Sequence, residues 1–188
     1  MLGGGLEDLA FAHVNVNAAG PARDSSRAGY DRAMTLAAPA DATASVTIAA
    51  TPAQVYALIT DLPTMGELGA EVNSLHWHRG DRAVPGAVFK GRNRNGTRSW
   101  TTTCSVTDAE PDRVFAFDVK SVVIPVAHWR YEIEAAEGGC TVTESTWDRR
   151  PGWFVTPGGI ATGVRDRTSA NAEHIRQTLE RLKARAEA

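Results

Sequence analysis

The sequence predicts an α+β domain in which a curved, seven-stranded antiparallel sheet wraps around one long C-terminal helix, with two short helices after the first strand. Three observations support this prediction. A short β-branched segment is followed by residues with strong helix-start signals. Six further segments rich in β-branched and aromatic residues then follow one another, separated by turn residues. The last segment, residues 160–188, contains no proline and carries apolar residues at helical spacing.

The composition is that of a globular protein that can bury a core. Of the 188 residues, 43% are hydrophobic and 22% are charged, which predicts a single domain. The formal charge of −2 creates no broad field that would attract nucleic acid or an anionic membrane. No stretch reaches the ~20 apolar residues of a membrane helix, and the first residues lack the positive charge of a signal peptide. We therefore expect a cytoplasmic protein without stable membrane insertion.

The first 41 residues differ in composition from the rest of the chain. They are rich in Ala, Gly, Asp and Arg and show little periodicity, so residues 1–41 are predicted to be a flexible leader and residues 42–188 the folded domain. The composition break also raises the hypothesis that Met34 is the true start and that residues 1–33 do not belong to the native protein. The intact mass of protein made from the native gene would decide between the two.

The folded domain is expected to open with a strand and two helices. The segment "TASVTIAA", residues 43–50, is β-branched and short. Thr51 is placed to cap a helix that has Pro52 at its first position and Val55 and Ile59 on its apolar face. The segment "PTMGELGA", residues 63–70, is expected to continue as a second short helical piece.

Six strands and one long helix are predicted for the rest of the chain. Asn95-Gly96 and Pro111-Asp112 mark turns between strands, and strands with few residues between them form an antiparallel meander. Residues 151–159 are predicted to be a loop, and residues 160–188 one long helix. Six residues at intervals of roughly one or two helical turns are expected to lie along the mostly apolar face of this helix. They are Ile160, Val164, Asn171, Ile175, Leu179 and Leu182.

The dimensions of these elements predict a cavity. One helix is about 10 Å wide, whereas seven strands spread over roughly 30 Å. The sheet must therefore curl around the helix or leave part of its face uncovered. A filled core without a cavity is the alternative.

Several segments resemble one protein family. The element order, together with "ATPAQVYALITDLPTMGE", "WTTTCSVTDAEPDRVFAFDV", "TVTESTWDRRP" and "NAEHIRQTLERLKA", resembles the polyketide cyclase/dehydrase branch of the START-like, Bet v 1-like superfamily (SRPBCC). The resemblance covers about residues 43–185. It implies a helix-grip fold, in which a long C-terminal helix lies in a curved antiparallel sheet and a deep cavity binds apolar or amphipathic small molecules.

Glu144 is the first candidate for a functional residue. Side chains alternate along a strand, so Glu144 faces inward if Val142 does. In a cavity it would bind a ligand hydroxyl or act as a general acid or base whose pKa is raised by burial. Two alternatives remain open at this stage: Glu144 pairs with a buried arginine or a backbone donor, or Trp147 is the inward residue and the phase is reversed.

The same alternation, applied to the bulky residues of the other strands, together with the face of the final helix that carries Asn171, predicts the remaining cavity lining. A mostly apolar wall with a few polar groups is usual for small-molecule sites. The predicted ligand-binding residues are Phe89, Asn93, Trp100, Thr102, Phe117, Trp129, Tyr131, Glu144, Val164, Asn171 and Ile175.

Other chemistries find little support in the sequence. Cys104 and Cys140 lack the paired spacing of a zinc site and are expected to be reduced thiols. His76 and His78 share a strand face but need a distant third ligand. The basic hairpin around Arg94 is expected to be a solvated edge strand. We therefore expect no metal, no cofactor and no nucleic acid.

Two functions follow from these predictions. The first is the binding of a hydrophobic or amphipathic small molecule, such as a lipid or polyketide-like compound, without catalysis. The second is a cofactor-independent cyclase or dehydratase that folds a poly-ketone and uses Glu144, with Tyr131 or Asn171, for proton transfer and loss of water. The protein is expected to be a monomer or homodimer.

Overall fold

The computed structural model describes residues 38–188, in which seven strands and four helices follow one another. The strands are β1 (Ala42–Ile48), β2 (Val72–Arg79), β3 (Val88–Asn95), β4 (Arg98–Glu110), β5 (Val114–Ser121), β6 (Ile124–Ala136) and β7 (Gly139–Asp148). The helices are α1 (Pro52–Thr60), α2 (Leu62–Leu68), α3 (Gly152–Thr162) and α4 (Arg167–Ala186). Met34 and residues 1–37 of the predicted leader lie outside the described residues.

The strands form one antiparallel sheet in the order β1-β7-β6-β5-β4-β3-β2. Strands β2 to β7 are a meander, and β1 crosses over to pair with β7, for example at Val46 opposite Val142. This arrangement, with a long helix at the C-terminus, confirms the predicted α+β helix-grip fold.

Short-range capping explains the two helices after β1. The Thr51 hydroxyl accepts a hydrogen bond from the Gln54 backbone N–H, and the Gln54 side chain accepts one from the Thr51 N–H, which completes a capping box. Asp61 ends α1 and starts α2, because its carboxylate accepts a hydrogen bond from the Thr64 N–H at 3.0 Å. Both helices therefore begin where the sequence places a capping side chain.

Helix α4 covers only part of the concave face of the sheet. It packs mainly against β1, with further contacts to β7, α1 and α2. Its residues Ile175, Leu179 and Leu182 are fully buried in one hydrophobic core. The concave faces of the strands farther along the sheet are left to be covered by other groups, as the width argument predicts.

The prediction of one helix from residue 160 onward was wrong. Residues predicted as a loop form α3, which contains Pro157, and α4 begins only at Arg167. Gly163 separates the two helices, since it adopts the left-handed conformation with φ of 77° and its N–H donates to the Gly159 carbonyl. Asp166 then caps α4 by accepting a hydrogen bond from the Ser169 N–H at 3.0 Å.

Contacts with other elements hold α3 in place, because its own sequence favours a helix only weakly. Proline inside a helix costs about 3 kcal/mol, and glycine about 1 kcal/mol, relative to alanine. The Asn95 side-chain amide donates to the Thr162 carbonyl at 3.1 Å, and Arg167 donates to the Thr162 hydroxyl at 2.8 Å. At the other end, the Arg149 N–H donates to the Val126 carbonyl. Helix α3 thus crosses one end of the sheet, from β6 and β7 to the β3–β4 turn.

The break between α3 and α4 predicts a difference between two glycine substitutions. Gly163→Ala should lower the free energy of unfolding by about 1–2 kcal/mol, because alanine is disfavoured at positive φ and its Cβ would lie 2.8 Å from Arg98 Nη1. Gly152→Ala is the matched control, since no atom beyond its chain neighbours and its own helix backbone lies within 4 Å of its Cβ position. Urea denaturation measures both, and equal stability of the two variants would contradict this account of the break.

Candidate functional site

A cavity of about 270 Å³ lies between the concave face of the sheet and helices α3 and α4. Its volume is just below the ~300–1,000 Å³ range of small-molecule sites. Much of its wall is aromatic, and Phe117 and Phe89 pack edge to face with ring centroids 5.2 Å apart. The cavity therefore offers an apolar surface that is shaped by rigid side chains.

Most of the residues predicted to bind a ligand lie together in the wall of this cavity. These residues are Phe89, Asn93, Trp100, Thr102, Phe117, Trp129, Tyr131, Glu144 and Asn171. They come from β3, β4, β5, β6, β7 and α4, so five strands of the meander and the C-terminal helix meet at one site.

Val164 and Ile175 lie elsewhere. Val164 belongs to the loop between α3 and α4, because the helix breaks at Gly163. Ile175 is fully buried in the hydrophobic core. The cavity face of α4 instead presents Asn171, His174 and Thr178, which are spaced three and four residues apart.

Tyr131 and Glu144 form the most buried polar pair of the cavity wall. They stand directly opposite each other on β6 and β7, and the Tyr131 hydroxyl donates to Glu144 Oε1 at 2.7 Å. The two residues are only 4% and 2% exposed. Glu144 Oε2 is buried and has no hydrogen-bond partner among residues 38–188.

The strand phase explains why this carboxyl lies inside. Cys140, Val142, Glu144 and Thr146 alternate along β7 and are all buried on its inner face. Trp147 lies on the opposite face, where its indole N–H donates to the Ala38 carbonyl. The partner of Glu144 is thus a tyrosine hydroxyl, and neither an arginine nor a backbone donor.

Burial decides the protonation state of the pair. Loss of water raises the pKa of Glu144 to about 8, although the hydrogen bond from Tyr131 acts in the opposite direction. Burial and the neighbouring carboxyl likewise raise the pKa of Tyr131 well above its usual value. Near neutral pH both groups are therefore protonated. Oε1 accepts from Tyr131, so Oε2 is the oxygen that is free to carry the proton and to donate it to a further group.

Cys104 also lines the cavity but is not suited to nucleophilic chemistry. Burial raises the pKa of its thiol to about 12. The reactive form of cysteine is the thiolate. The thiol is therefore part of the apolar wall.

Two ion pairs flank α3 at the rim of the cavity. Arg150 binds Asp148 through two parallel contacts, at 2.9 Å and 2.6 Å, just before α3 begins. Arg167 binds Glu71 at 2.7 Å just after α3 ends. All four residues belong to the cavity lining. The rim is therefore polar and charged, whereas the deeper wall is mostly apolar.

Sequence reasoning missed the contribution of α3 to the lining. Phe154, Gly158, Ala161 and Thr162 all contact the cavity. The segment was predicted to be a loop because of Pro157 and its neighbouring glycines. The adjacent aromatic residues at 153 and 154 were the one available signal, since two large aromatic side chains are unusual in a solvated loop.

The described residues contain neither a metal-binding cluster nor a membrane-spanning helix. Within residues 38–188, no group of three or more His, Cys, Asp or Glu side chains is placed to hold a metal ion. No helix in this range is both long and apolar enough to cross a bilayer.

Solved structures with the same fold support the architecture. A Polyketide_cyc-like protein from Corynebacterium glutamicum is 31% identical, with a TM-score of 0.52 over 75% of this chain and 87% of its own. The di-domain ARO/CYC protein StfQ from the steffimycin biosynthetic pathway is 14% identical, with a TM-score of 0.61 over 77% of this chain and 49% of its own. Ara h 8.0201 is 13% identical, with a TM-score of 0.57 over 77% of this chain and 95% of its own.

The family assignment comes from the sequence itself. A search of curated proteins found no match. Residues 39–187, however, match the family model described as polyketide cyclase / dehydrase and lipid transport. The matched range includes every strand and helix of the structure. The chain belongs to the polyketide cyclase / dehydrase and lipid transport family.

Proposed function

We propose that the protein binds a hydrophobic or amphipathic small molecule, lipid-like or polyketide-like, in this cavity without transforming it. The family description and the ARO/CYC neighbours support a ligand of this kind. A cytoplasmic location and a monomeric or homodimeric state remain part of the proposal.

The observation that carries the proposal is the unpartnered oxygen of Glu144. A buried polar atom without a hydrogen bond costs about 1–3 kcal/mol, so such atoms are rare in folded proteins. Glu144 Oε2 is such an atom, in a residue that lines the cavity. A ligand that forms a hydrogen bond with this oxygen would remove the free-energy cost of the unpaired atom. The same bond would fix the orientation of the ligand in a mostly apolar site.

The protonation of Glu144 specifies which ligand groups fit. A neutral carboxyl with its proton on Oε2 donates a hydrogen bond, so its natural partner is an acceptor such as a ketone oxygen. Asn93 and Asn171 provide further polar groups in the wall. A compound with apolar rings and a carbonyl group matches this distribution.

Catalysis is the second candidate, and the Tyr131–Glu144 pair is the observation that favours it. A group with a pKa of about 8 exchanges protons readily near neutral pH. Loss of water from a poly-ketone also requires a base, however, and the raised pKa of Tyr131 keeps its hydroxyl protonated. Binding therefore ranks first.

The neutral state of Glu144 predicts a particular dependence of stability on pH. Below pH 4.5 the carboxyl is protonated in both the folded and the unfolded chain. Between pH 4.5 and about 8, only the unfolded chain releases the proton, so the folded state loses about 1.4 kcal/mol of stability per pH unit from this group. The loss is complete above about pH 8.

Glu144→Gln removes this contribution while keeping the shape of the side chain. Urea denaturation between pH 5 and pH 8 should show that the free energy of unfolding of the variant rises relative to that of the wild type as pH rises. All other titrating groups affect the two proteins equally. Parallel stability curves for the two proteins would mean that Glu144 is ionised in the fold, and the donor argument would fail.

A matched pair of ligands tests the donor directly. The wild-type protein should bind 2-acetonaphthone about fivefold more tightly than 2-ethylnaphthalene at pH 6.5, because one net hydrogen bond contributes about 1 kcal/mol. Trp100 and Trp129 line the cavity, so quenching of tryptophan emission reports binding. The preference should disappear at pH 9, where Glu144 is ionised and only accepts hydrogen bonds.

Two substitutions serve as controls for this measurement. Glu144→Gln keeps a donor and should retain the preference for the ketone at both pH values. Glu144→Leu removes the donor and should bind both ligands equally at both pH values. Equal binding of the two ligands by the wild type would contradict the proposal.

Native mass spectrometry of protein purified from its own host would identify a bound compound, and the same Gln variant separates binding from catalysis. If a poly-ketone is converted with loss of water by the wild type, and Glu144→Gln binds it but no longer converts it, the protein is a cyclase or dehydratase. Unchanged recovery of the compound supports binding alone.

A further inference from the structure

Exposed hydrophobic residues concentrate at one end of the domain. Among residues 38–188, the exposed large hydrophobics are Val84, Val122, Val123, Trp153, Val155 and Ile160. Val122 and Val123 form the turn between β5 and β6, and Trp153, Val155 and Ile160 belong to α3. The first of the six, Val84, lies in the β2–β3 connection.

Strand direction places five of these residues at the same end. In an antiparallel meander, successive turns alternate between the two ends of the strands. The β3–β4 turn, the β5–β6 turn and the end of β7 therefore lie at one end of the sheet, and the β2–β3 connection lies at the opposite end. The hydrogen bond from the Arg149 N–H to the Val126 carbonyl joins the start of α3 to β6 near its turn. Ser121 precedes the Val122–Val123 turn and Phe154 follows Trp153 in α3, and both Ser121 and Phe154 line the cavity.

The β5–β6 turn is a costly place for valine. Val122 has φ of 56°, a conformation that β-branched residues strongly disfavour, and two-residue hairpin turns usually carry Asn or Gly there. Val122 and Val123 are 85% and 79% exposed, so burial within this chain does not offset the cost. Trp153, at 69% exposed, presents a still larger apolar side chain to water.

Cationic residues surround this apolar surface. Lys120 precedes the β5–β6 turn, Arg98 contacts the C-terminus of α3 at Gly163, and Arg165 follows that helix, and all three are exposed. Carboxylates nearby are committed within the protein: Asp148 binds Arg150, Glu71 binds Arg167, and Asp166 caps α4. A partner that is complementary to this surface would carry apolar and anionic groups side by side.

We propose that this end of the domain, formed by the β5–β6 turn and α3, docks on the surface of an anionic phospholipid bilayer. Exposed Trp and Val side chains enter the region between headgroups and acyl chains, and Lys120, Arg98 and Arg165 face the lipid phosphates. The contact is peripheral and reversible, which agrees with the absence of a spanning helix in residues 38–188. It brings the rim of the cavity to the lipid surface.

Co-sedimentation of the full chain with vesicles tests this proposal. The protein should bind vesicles of equimolar phosphatidylglycerol and phosphatidylcholine more tightly than vesicles of phosphatidylcholine alone, and less tightly when salt rises from about 0.1 M to about 0.5 M. Trp153→Ser and the double variant Val122→Ser/Val123→Ser should each weaken binding about tenfold. Val84→Ser, at the opposite end, should bind as the wild type does.

The controls separate this surface from the cavity. Sedimentation is measured without any added cavity ligand, so failure of the ligand proposal leaves this result unaffected. Thermal unfolding verifies that each variant is folded, and the double valine variant covers the case in which Trp153→Ser disturbs Phe154. Equal binding to both vesicle types, no binding, an equal loss in Val84→Ser, or self-association that Trp153→Ser abolishes would overturn the proposal.

Discussion

The structure depends on a mismatch between the width of the sheet and the width of its helix. Helix α4 packs mainly against β1, and seven strands spread much farther than one helix can cover. The uncovered part of the concave face must be filled by side chains, closed by another element or left for a ligand. All three solutions occur here, because aromatic residues narrow the space, α3 closes one end of it, and a cavity of about 270 Å³ remains.

The chemical character of the cavity depends on the carboxyl of Glu144, which is buried away from water. Strand alternation places Glu144 inside, and the register of the β6–β7 hairpin places Tyr131 directly opposite. A slip of β7 by one residue against β6 would turn Glu144 to the outer face and separate it from Tyr131, so the register and the site are determined together. The surrounding apolar wall keeps the carboxyl neutral. A neutral carboxyl donates a directional hydrogen bond, whereas the apolar wall around it makes only non-directional contacts.

The parts of the fold that follow from local chemistry could be predicted from the sequence. Thr51 and Pro52 mark the start of α1, and the alternation around Val142 places Glu144 inside. Helix α3 could not be predicted in this way, because its proline and glycines disfavour a helix and contacts distant in sequence, such as that with Asn95, hold its end. Ile175 was predicted to bind the ligand because a sequence pattern shows which residues are apolar, whereas the share of α4 that faces the cavity depends on its rotation against β1.

The same helix connects the interior of the protein with its surroundings. Consecutive residues of α3 face different environments, since Phe154 lines the cavity while Trp153 is exposed, and the two rings pack edge to face with centroids 5.6 Å apart. Proline and glycine give α3 little stability of its own, so its position depends on contacts at its two ends. An interaction that changes the environment of Trp153 therefore acts on a helix that forms part of the cavity wall.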